Sequence, residues 1–337
     1  MKLHLYTFDL ALSSPFRIAH GVRTVQPTLI VGLEADGYLG LGEATATSYY
    51  GKKVGDMLLA LEELRTVIEA ETLDSPEKFW DRMYPHLKTH PFELCALDVA
   101  AHDLFARQGG MPLYKCWDLD PNKAPLTNYT IGIGPIEEMV SKIKEQPWPV
   151  YKVKLGTDHD LEIIEALRAV TDARFRVDAN TAWTAEQTIA LAPKFKRLGV
   201  EFLEQPLKAD DWEGAKEVFQ QSALPIIADE SCQLESDIKK CHGSFHGVNI
   251  KLMKCGGLTP ARRMIQEART LDLQVMVGCM TESTVGISAI AHLAPLLDYV
   301  DMDGALLLKQ DIATGVSIQD GKAIFPDATG TGARLLS

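Results

Sequence analysis

The sequence predicts an α/β protein built as a modified, parallel (β/α)7–8 TIM barrel with an N-terminal α+β cap that the C-terminal tail completes. From residue 126 onward, short apolar runs alternate with amphipathic segments of helix length, as in successive β/α units. Before that point, alternating strand patterns come first and helical patterns follow. An open, doubly wound sheet is the rival, but the glycine-rich phosphate turn that would favour it is incomplete at Gly132-Ile133-Gly134. The expected units are a cap at 1–120, a barrel at 121–308 and a returning tail at 309–337.

The cap pattern has strands followed by helices. The predicted strands are 1–12, 28–34 and 38–44. Asp36-Gly37 is typical of a hairpin turn between the last two. Helix starts are expected at Ser75-Pro76 and at Pro91, since proline is favoured in a first helical turn, and Gly109-Gly110 ends the helical run.

The barrel pattern contains eight strand candidates, each followed by a helix-length segment except the last. They are 126–133, 150–155, 175–179, 202–207, 226–228, 247–252, 274–278 and 299–303. Eight units in about 180 residues predict a closed barrel smaller than the ~250 residues typical of this fold.

Composition excludes several classes of function. The 337 residues include 34 basic and 46 acidic side chains, for a formal charge of −12, which argues against nucleic acid as a partner. No run approaches the ~18–20 apolar residues of a membrane helix, and the start lacks an export leader. Six cysteines without a CxxC pair indicate reduced thiols. We therefore expect a soluble, cytoplasmic protein without membrane or nucleic-acid partners.

Charged residues stand at the carboxyl ends of the predicted barrel strands, where such folds build their active sites. Lys154, Asp178, Glu204, Asp229 and Lys251 follow one another at intervals of 24, 26, 25 and 22 residues, about one β/α unit each. Singly, each has an ordinary explanation as a helix cap, a solvated strand end or a surface lysine. Because their spacing matches the period of the strands, these five residues are expected to point together into one cavity on the barrel axis. Further residues expected at these strand ends are Lys152, Asn180, Glu282, Asp301 and Asp303, and Met280 is a further substrate-binding candidate. The members of Lys152/Lys154, Asp178/Asn180 and Asp301/Asp303 stand two residues apart, so both should face the same side of their strand.

The pattern of residue types indicates a metal and two bases. Three carboxylates from adjacent strands form an all-oxygen site, which suits Mg²⁺ better than zinc. Two lysines on opposite sides of the cavity suggest proton transfer at two faces of one carbon. Lys152 beside Lys154, with a metal nearby, would favour a neutral amine able to act as a base.

Five motifs together resemble the enolase superfamily, specifically its muconate-lactonizing-enzyme subgroup, over nearly the whole chain. The motifs are Lys152-Val153-Lys154, Val177-Asp178-Ala179-Asn180, Glu204-Gln205-Pro206, Ala228-Asp229-Glu230-Ser231, and Asn249-Ile250-Lys251 followed by Gly256-Gly257. A turn at Gly42-Glu43-Ala44 in the cap is part of the same resemblance. The resemblance implies Mg²⁺ on Asp178, Glu204 and Asp229, with Lys154 and Lys251 as the acid/base pair.

Asp301-Met302-Asp303 resembles the paired aspartates with which dipeptide epimerases hold a substrate's α-ammonium group. The ordinary alternative is a turn that ends the strand. The implied reaction is a two-base 1,1-proton transfer through a metal-stabilised enediolate, which inverts the C-terminal residue of an Ala-Xaa dipeptide. By resemblance, Lys154 serves the S (L) face. The alternatives are o-succinylbenzoate synthase, N-succinylamino acid racemase, a cycloisomerase of the same subgroup, and a non-catalytic barrel.

Two cap loops, 16–24 and 45–53, are expected to set specificity. Their candidate substrate-binding residues are Phe16, Ile18, His20, Tyr49 and Tyr50. The arginine that epimerases of Ala-Glu use would fall at Gly21, and Arg17, His20 and Arg23 are out of register. A small or apolar second residue is therefore expected, such as Ala-Ala or Ala-Val, with Ala-Glu as the alternative. A homo-oligomer is possible.

Overall fold

The computed structural model describes residues 1–18 and 21–336, and its cap begins with a three-stranded antiparallel sheet. The strands are β1 (Lys2–Ile18), β2 (Gly21–Ala35) and β3 (Tyr38–Thr45), hydrogen-bonded in that order. The first two are longer than predicted, because they continue pairing past an irregularity between Ala11 and Phe16. The prediction of a turn at Gly42-Glu43-Ala44 is wrong, since these residues lie inside β3.

Five helices in the described part of the chain complete the cap. They are α1 (Val54–Glu63), α2 (Arg65–Ala70), α3 (Pro76–Leu87), α4 (Pro91–Gln108) and α5 (Leu113–Cys116). Ser75 caps α3 by accepting the N–H of Lys78 at 3.2 Å. The long helix α4 packs directly on β3, because Gly42 has no side chain and a β-carbon there would overlap the Ala96 carbonyl oxygen.

Among the residues that the structure describes, the barrel consists of eight parallel strands that neighbour one another in chain order. They are β4 (Tyr129–Ile131), β5 (Val150–Lys154), β6 (Arg174–Asp178), β7 (Val200–Glu204), β8 (Ile226–Ala228), β9 (Gly247–Lys251), β10 (Gln274–Gly278) and β11 (Tyr299–Asp301). A parallel bridge from Thr127 to Val300 brings the two ends of the sheet together. The predicted fold class is confirmed. The first strand is much shorter than the predicted 126–133, and before it Thr127 bridges to Val300 and donates its N–H to the Gly321 carbonyl at 2.8 Å.

Helices connect the strands around the outside of the barrel. They are α6 (Ile136–Glu145), α7 (Asp160–Arg168), α8 (Ala185–Arg197), α9 (Trp212–Gln221), α10 (Asp237–Cys241), α11 (Leu252–Cys255), α12 (Leu258–Thr270) and α13 (Thr284–Leu293). Short 3₁₀ helices occupy Pro121–Lys123, Ala294–Leu296 and Gly304–Leu307. No helix of the described residues is long and apolar enough to cross a membrane.

The C-terminal tail runs back onto the cap. Its short strands β12 (Ala313–Thr314) and β15 (Arg334–Leu335) pair with one another, as do β13 (Ser317–Gln319) and β14 (Lys322–Ile324). Leu113 at the start of α5 donates its N–H to the Gly330 carbonyl at 2.8 Å, and Asp103 on α4 accepts from Thr331. The cap is therefore built from both ends of the chain. The domain boundaries at residues 120 and 308 stay predictions.

Candidate active site

The three predicted metal ligands converge at the carboxyl ends of adjacent strands. Asp178 ends β6, Glu204 ends β7, and Asp229 follows β8. Parallel pairing aligns Asp178 with Glu204 in neighbouring strands. One carboxylate oxygen from each of the three lies within 4.8 Å of the others, and all three side chains are buried. Three carboxylates in this arrangement can hold one hard divalent cation.

The two predicted bases face one another across this triad. Lys154 ends β5 and Lys251 ends β9, which stand four places apart in the ring of eight strands. Lys154 Nζ lies 2.6 Å from Asp178 Oδ2, and Lys251 Nζ lies 2.7 Å from Asp229 Oδ2. Both lysines line a cavity of about 300 Å³ between the cap and the barrel. A planar carbon in this cavity could exchange protons with either side.

Lys152 lies deeper in the barrel and links the metal triad to the aspartate pair. Its Nζ donates to Glu204 Oε1 at 2.9 Å and to Asp301 Oδ2 at 2.8 Å, and it lies 3.1 Å from Asp178. Burial opposes its ionisation, but the charges of Asp301, Glu204 and Asp178 outweigh this and raise the pKa of Lys152. The residue is therefore a buried cation that lines the floor of the cavity.

Unpartnered acceptors show that the triad fits a cation. Oε2 of Glu230 and Oδ1 of Asn180 are buried and accept no hydrogen bond from the described residues. Glu204 Oε2 differs from them, because the Lys152 ammonium lies 2.8 Å from it as an ion pair. Burial, then the charge of Asp178, raise the pKa of Glu204 to about 7. Burial and the charge of Asp229 raise the pKa of Glu230 to about 8. Buried acceptors without donors are costly, and a cation with its water ligands would satisfy them.

Asp301 and Asp303 both line the cavity, but they are not strand neighbours. The strand was expected to run through 303, whereas β11 ends at Asp301 and Asp303 opens a 3₁₀ helix. Asp301 accepts the Asn128 amide at 2.8 Å, and Asp303 accepts the Thr130 N–H. Burial, followed by the charge of Asp301, raises the pKa of Asp303. These contacts, rather than strand alternation, aim the two carboxylates into one space.

Asn180 departs from the expected strand geometry in the same way. It follows β6 with a φ of +44°, and its own N–H donates to Asp178 Oδ1 at 2.9 Å. Its side chain nevertheless lines the cavity. Asp178 thus accepts a backbone N–H two residues on, the local role that an aspartate often has at such a turn.

Met280 lines the cavity, whereas Glu282 is not among the described residues that do. Glu282 is buried behind the wall, where it accepts the Met280 N–H at 2.8 Å. Burial and the nearby charge of Glu43 raise the pKa of Glu282. The hydrogen bond from Met280 indicates that Glu282 stabilises the loop after β10 and does not line the space that a substrate would fill.

Residues of the cap line part of the cavity. Tyr49 and Tyr50 line it and pack edge to face with ring centroids 4.8 Å apart. Arg23, expected out of register, also lines the cavity, and its guanidinium donates to Gln26 Oε1 at 2.8 Å. The β1–β2 pairing places Arg23 opposite Phe16, a register that sequence spacing could not supply. The backbones of Phe16 and Ile18 lie in β1, but their side chains and His20 lie outside the described residues.

Sequence reasoning assigned no role to Lys254, Thr130 or Asn128, and it quoted Glu230 only within a motif. Lys254 stands one helical turn after Lys251, and Glu230 directly follows Asp229. Their closeness in sequence to Lys251 and Asp229 was the one indication that Lys254 and Glu230 would lie at the site. Thr130 and Asn128 reach the site only through the closure of the barrel, which brings the start of β4 beside β11.

Comparison with known proteins agrees with this geometry. The N-terminal domain of the mandelate racemase / muconate lactonizing enzyme family matches residues 2–116, and the enolase C-terminal domain-like family matches residues 136–336. An L-Ala-D/L-amino acid epimerase of Flavobacterium johnsoniae is 56% identical over 100% of both chains. An L-Ala-D/L-Glu epimerase of Bacteroides thetaiotaomicron is 37% identical, over 98% of this chain and 87% of that one.

Solved structures show the same likeness. A dipeptide epimerase from Enterococcus faecalis, complexed with Mg and L-Leu-L-Tyr, has a TM-score of 0.93 at 30% identity, covering 98% of each chain. A dipeptide epimerase from Cytophaga hutchinsonii, complexed with Mg and D-Ala-L-Val, has a TM-score of 0.93 at 26% identity, covering 99% of this chain and 95% of that one. The chain belongs to the mandelate racemase / muconate lactonizing enzyme family of the enolase superfamily.

Proposed function

We propose that the protein is a Mg²⁺-dependent dipeptide epimerase, an isomerase that inverts the α-carbon of the C-terminal residue of an Ala-Xaa dipeptide. The observation that carries the proposal is the pair Lys154 and Lys251, which line opposite sides of one cavity. A protein that only binds a ligand does not need two bases on opposite sides of it. A lyase of the same scaffold, whose substrate carries no ammonium group, does not need the two buried aspartates Asp301 and Asp303. The relatives named as epimerases support the same reaction.

Asp178, Glu204 and Asp229 would hold the Mg²⁺ ion. When bound, the ion supplies positive charge that neutralises the substrate carboxylate and the negative charge that develops as the α-proton leaves. Lys152 donates hydrogen bonds to Glu204 of the triad and to the neighbouring Asp301. These bonds hold both carboxylates in place before the ion binds.

The remaining residues hold the substrate and move its proton. Asp301 and Asp303 bind the α-ammonium group, which orients the dipeptide between the two lysines. Lys154 removes the α-proton of the L isomer, and Lys251 returns a proton to the opposite face. For the D isomer the roles are exchanged. Each turnover therefore requires one neutral and one protonated lysine.

For the second residue of the substrate we propose a small or apolar side chain, as in Ala-Ala or Ala-Val. The cavity of about 300 Å³ is at the small end of ligand pockets, and Tyr50 and Leu307 line part of it. Ala-Glu is the second candidate, because Arg23 also lines the cavity and could pair with a carboxylate. A cytoplasmic location and a homo-oligomer stay predictions.

The test is a panel of Ala-Ala, Ala-Val and Ala-Glu in D₂O with Mg²⁺, read by mass and by chiral separation. We expect inversion accompanied by one deuterium at the α-carbon. Lys154→Met and Lys251→Met should each slow inversion by at least ~10²-fold while one enantiomer still exchanges its α-proton. Lys309→Met, at an exposed position, is the matched control.

Two outcomes would count against the proposal. Absence of both inversion and exchange across the panel would exclude dipeptide epimerisation, and full inversion by Lys251→Met would exclude the two-base mechanism.

Arg23→Met separates the two substrate candidates. If Ala-Glu is preferred, this variant should raise KM for Ala-Glu and leave KM for Ala-Val unchanged.

A further inference from the structure

Lys254 is a buried cation directly behind the metal triad. It lies on the one-turn helix α11, three residues after Lys251, and its side chain is 0% exposed. Its Nζ donates to Asp229 Oδ1 at 2.6 Å, to the Cys232 carbonyl at 2.8 Å and to the Asn249 carbonyl at 3.2 Å. The Asp229 carbonyl is a fourth acceptor. An ammonium group has three N–H donors, so the surrounding oxygens satisfy it completely.

The two oxygens of Asp229 have different partners. Oδ1 accepts from Lys254 on the buried side, whereas Oδ2 accepts from Lys251 on the cavity side. The corresponding carboxylate on the opposite face is held differently. Asp178 Oδ1 accepts a neutral backbone N–H, whereas its Oδ2 lies 2.6 Å from Lys154 Nζ and 3.1 Å from Lys152 Nζ. Of these two carboxylates in the described chain, only Asp229 therefore has a lysine on the oxygen that faces away from the cavity lysine.

The junction of cap and barrel fixes the position of Lys254. Gly256 and Gly257 follow helix α11, with φ angles of +98° and +120° that favour glycine. Trp80 of the cap donates its indole N–H to the Gly256 carbonyl at 2.8 Å. A β-carbon at Gly257 would overlap Asp98 of α4. Docking of the cap therefore holds the turn that carries Lys254.

We propose that Lys254 is a positioning residue: it holds Asp229 by Oδ1 so that Oδ2 stays turned toward the metal position and Lys251. The proposal rests on the function proposed above. Its action is one-sided, because Lys254 contacts Asp229 but has no contact with Asp178 or Lys154 among its hydrogen bonds and ion pairs in the described chain. Loss of Lys254 should weaken metal binding and impair the Lys251 face more than the Lys154 face.

The experiment compares Lys254→Met with wild type by calorimetric titration with Mg²⁺ alone, and by α-proton exchange of both substrate enantiomers in D₂O at saturating Mg²⁺. We expect Mg²⁺ binding to weaken at least ~10-fold, as for losses of residues that support metal ligands. Exchange of the enantiomer deprotonated by Lys251 should fall at least ~5-fold more than exchange of the other. Lys254→Gln, which keeps two donors, should change both quantities in the same direction to a smaller extent.

Lys239→Met is the matched control, because this lysine is 78% exposed and pairs with Glu267 rather than with Asp229. It should leave the Mg²⁺ affinity and the exchange ratio unchanged. A folded Lys254→Met with wild-type Mg²⁺ affinity and an unchanged exchange ratio would overturn the proposal. Failure of both Lys254 variants to fold would assign the residue to stability alone and overturn it as well. Wild type that binds Mg²⁺ but exchanges no dipeptide proton would refute the proposed function instead, leaving the Mg²⁺ comparison to decide the role of Lys254.

Discussion

His292 lies where the barrel, the cap and the tail meet, and it should make the protein sensitive to acid. Its Nδ1 accepts the N–H of Tyr114 at 2.9 Å, and the Tyr114 ring stacks on the imidazole with centroids 5.4 Å apart. Phe325 of the tail packs edge to face at 5.1 Å. Burial lowers the pKa of His292 to about 4, against a smaller opposing effect of the Thr331 backbone.

The sign and size of the effect follow from this pKa. The folded-state pKa lies below the ~6.5 of an unfolded histidine, so the contribution to stability is complete above pH 6.5 and is lost as pH falls toward 4. At pH 5 the unfolded chain binds nearly a full proton at this position, while the folded chain binds almost none. A difference of 1.5 pH units at about 1.4 kcal/mol per unit corresponds to about 2 kcal/mol of unfolding free energy.

The assay is urea denaturation at pH 7.5 and pH 5.0, followed by tryptophan fluorescence. His292→Asn keeps an acceptor near the position of Nδ1 but does not titrate. Between the two pH values, wild type should lose about 2 kcal/mol more unfolding free energy than this variant. His86→Asn, at an exposed position, is the control and should behave as wild type. Equal losses in wild type and His292→Asn would refute the reasoning.

Three further substitutions test the cap–barrel junction and the substrate site. Gly257→Ala puts a β-carbon against Asp98 and forces alanine into a positive φ, so the unfolding free energy should fall by roughly 1–3 kcal/mol or more. A thermal midpoint equal to that of wild type would contradict the clash. Glu43→Gln places an amide N–H₂ against the N–H and hydroxyl donors of Ser283, and chemical denaturation should show a loss of roughly 1–3 kcal/mol. An unchanged unfolding free energy would mean that this contact is dispensable. Asp303→Asn should raise the dipeptide KM at least roughly tenfold with a smaller change in kcat, and an unchanged KM would remove its role at the ammonium group.

The fold could be predicted because each element carries its own local signal. Ser75-Pro76 starts α3 and Pro91 starts α4 as their capping preferences predict. The β/α period set the number of barrel strands, although their ends shifted by up to three residues. The alternating pattern correctly placed 38–44 in a strand, and only the turn expected at Gly42-Glu43-Ala44 is wrong. Gly42 lets α4 pack closely on β3, and a sequence does not reveal which helix will approach.

The candidate site was predictable to the extent that it follows the barrel period. Lys154, Asp178, Glu204, Asp229 and Lys251 converge because the ends of parallel strands meet at one face of a barrel. Residues that enter the site from outside this period were missed or misplaced. Strand pairing within the cap brought in Arg23.

The sequence by itself determined the barrel, its cap and the polar residues at the strand ends, because these depend on periodicity and local preference. Only the tertiary structure decided which oxygen faces which lysine. Lys254 behind Asp229, Asn128 beneath Asp301, and Glu282 behind the cavity wall each depend on contacts between distant segments. Such contacts form when the barrel closes and the cap docks, and residue spacing along the chain does not encode the direction in which a side chain then points.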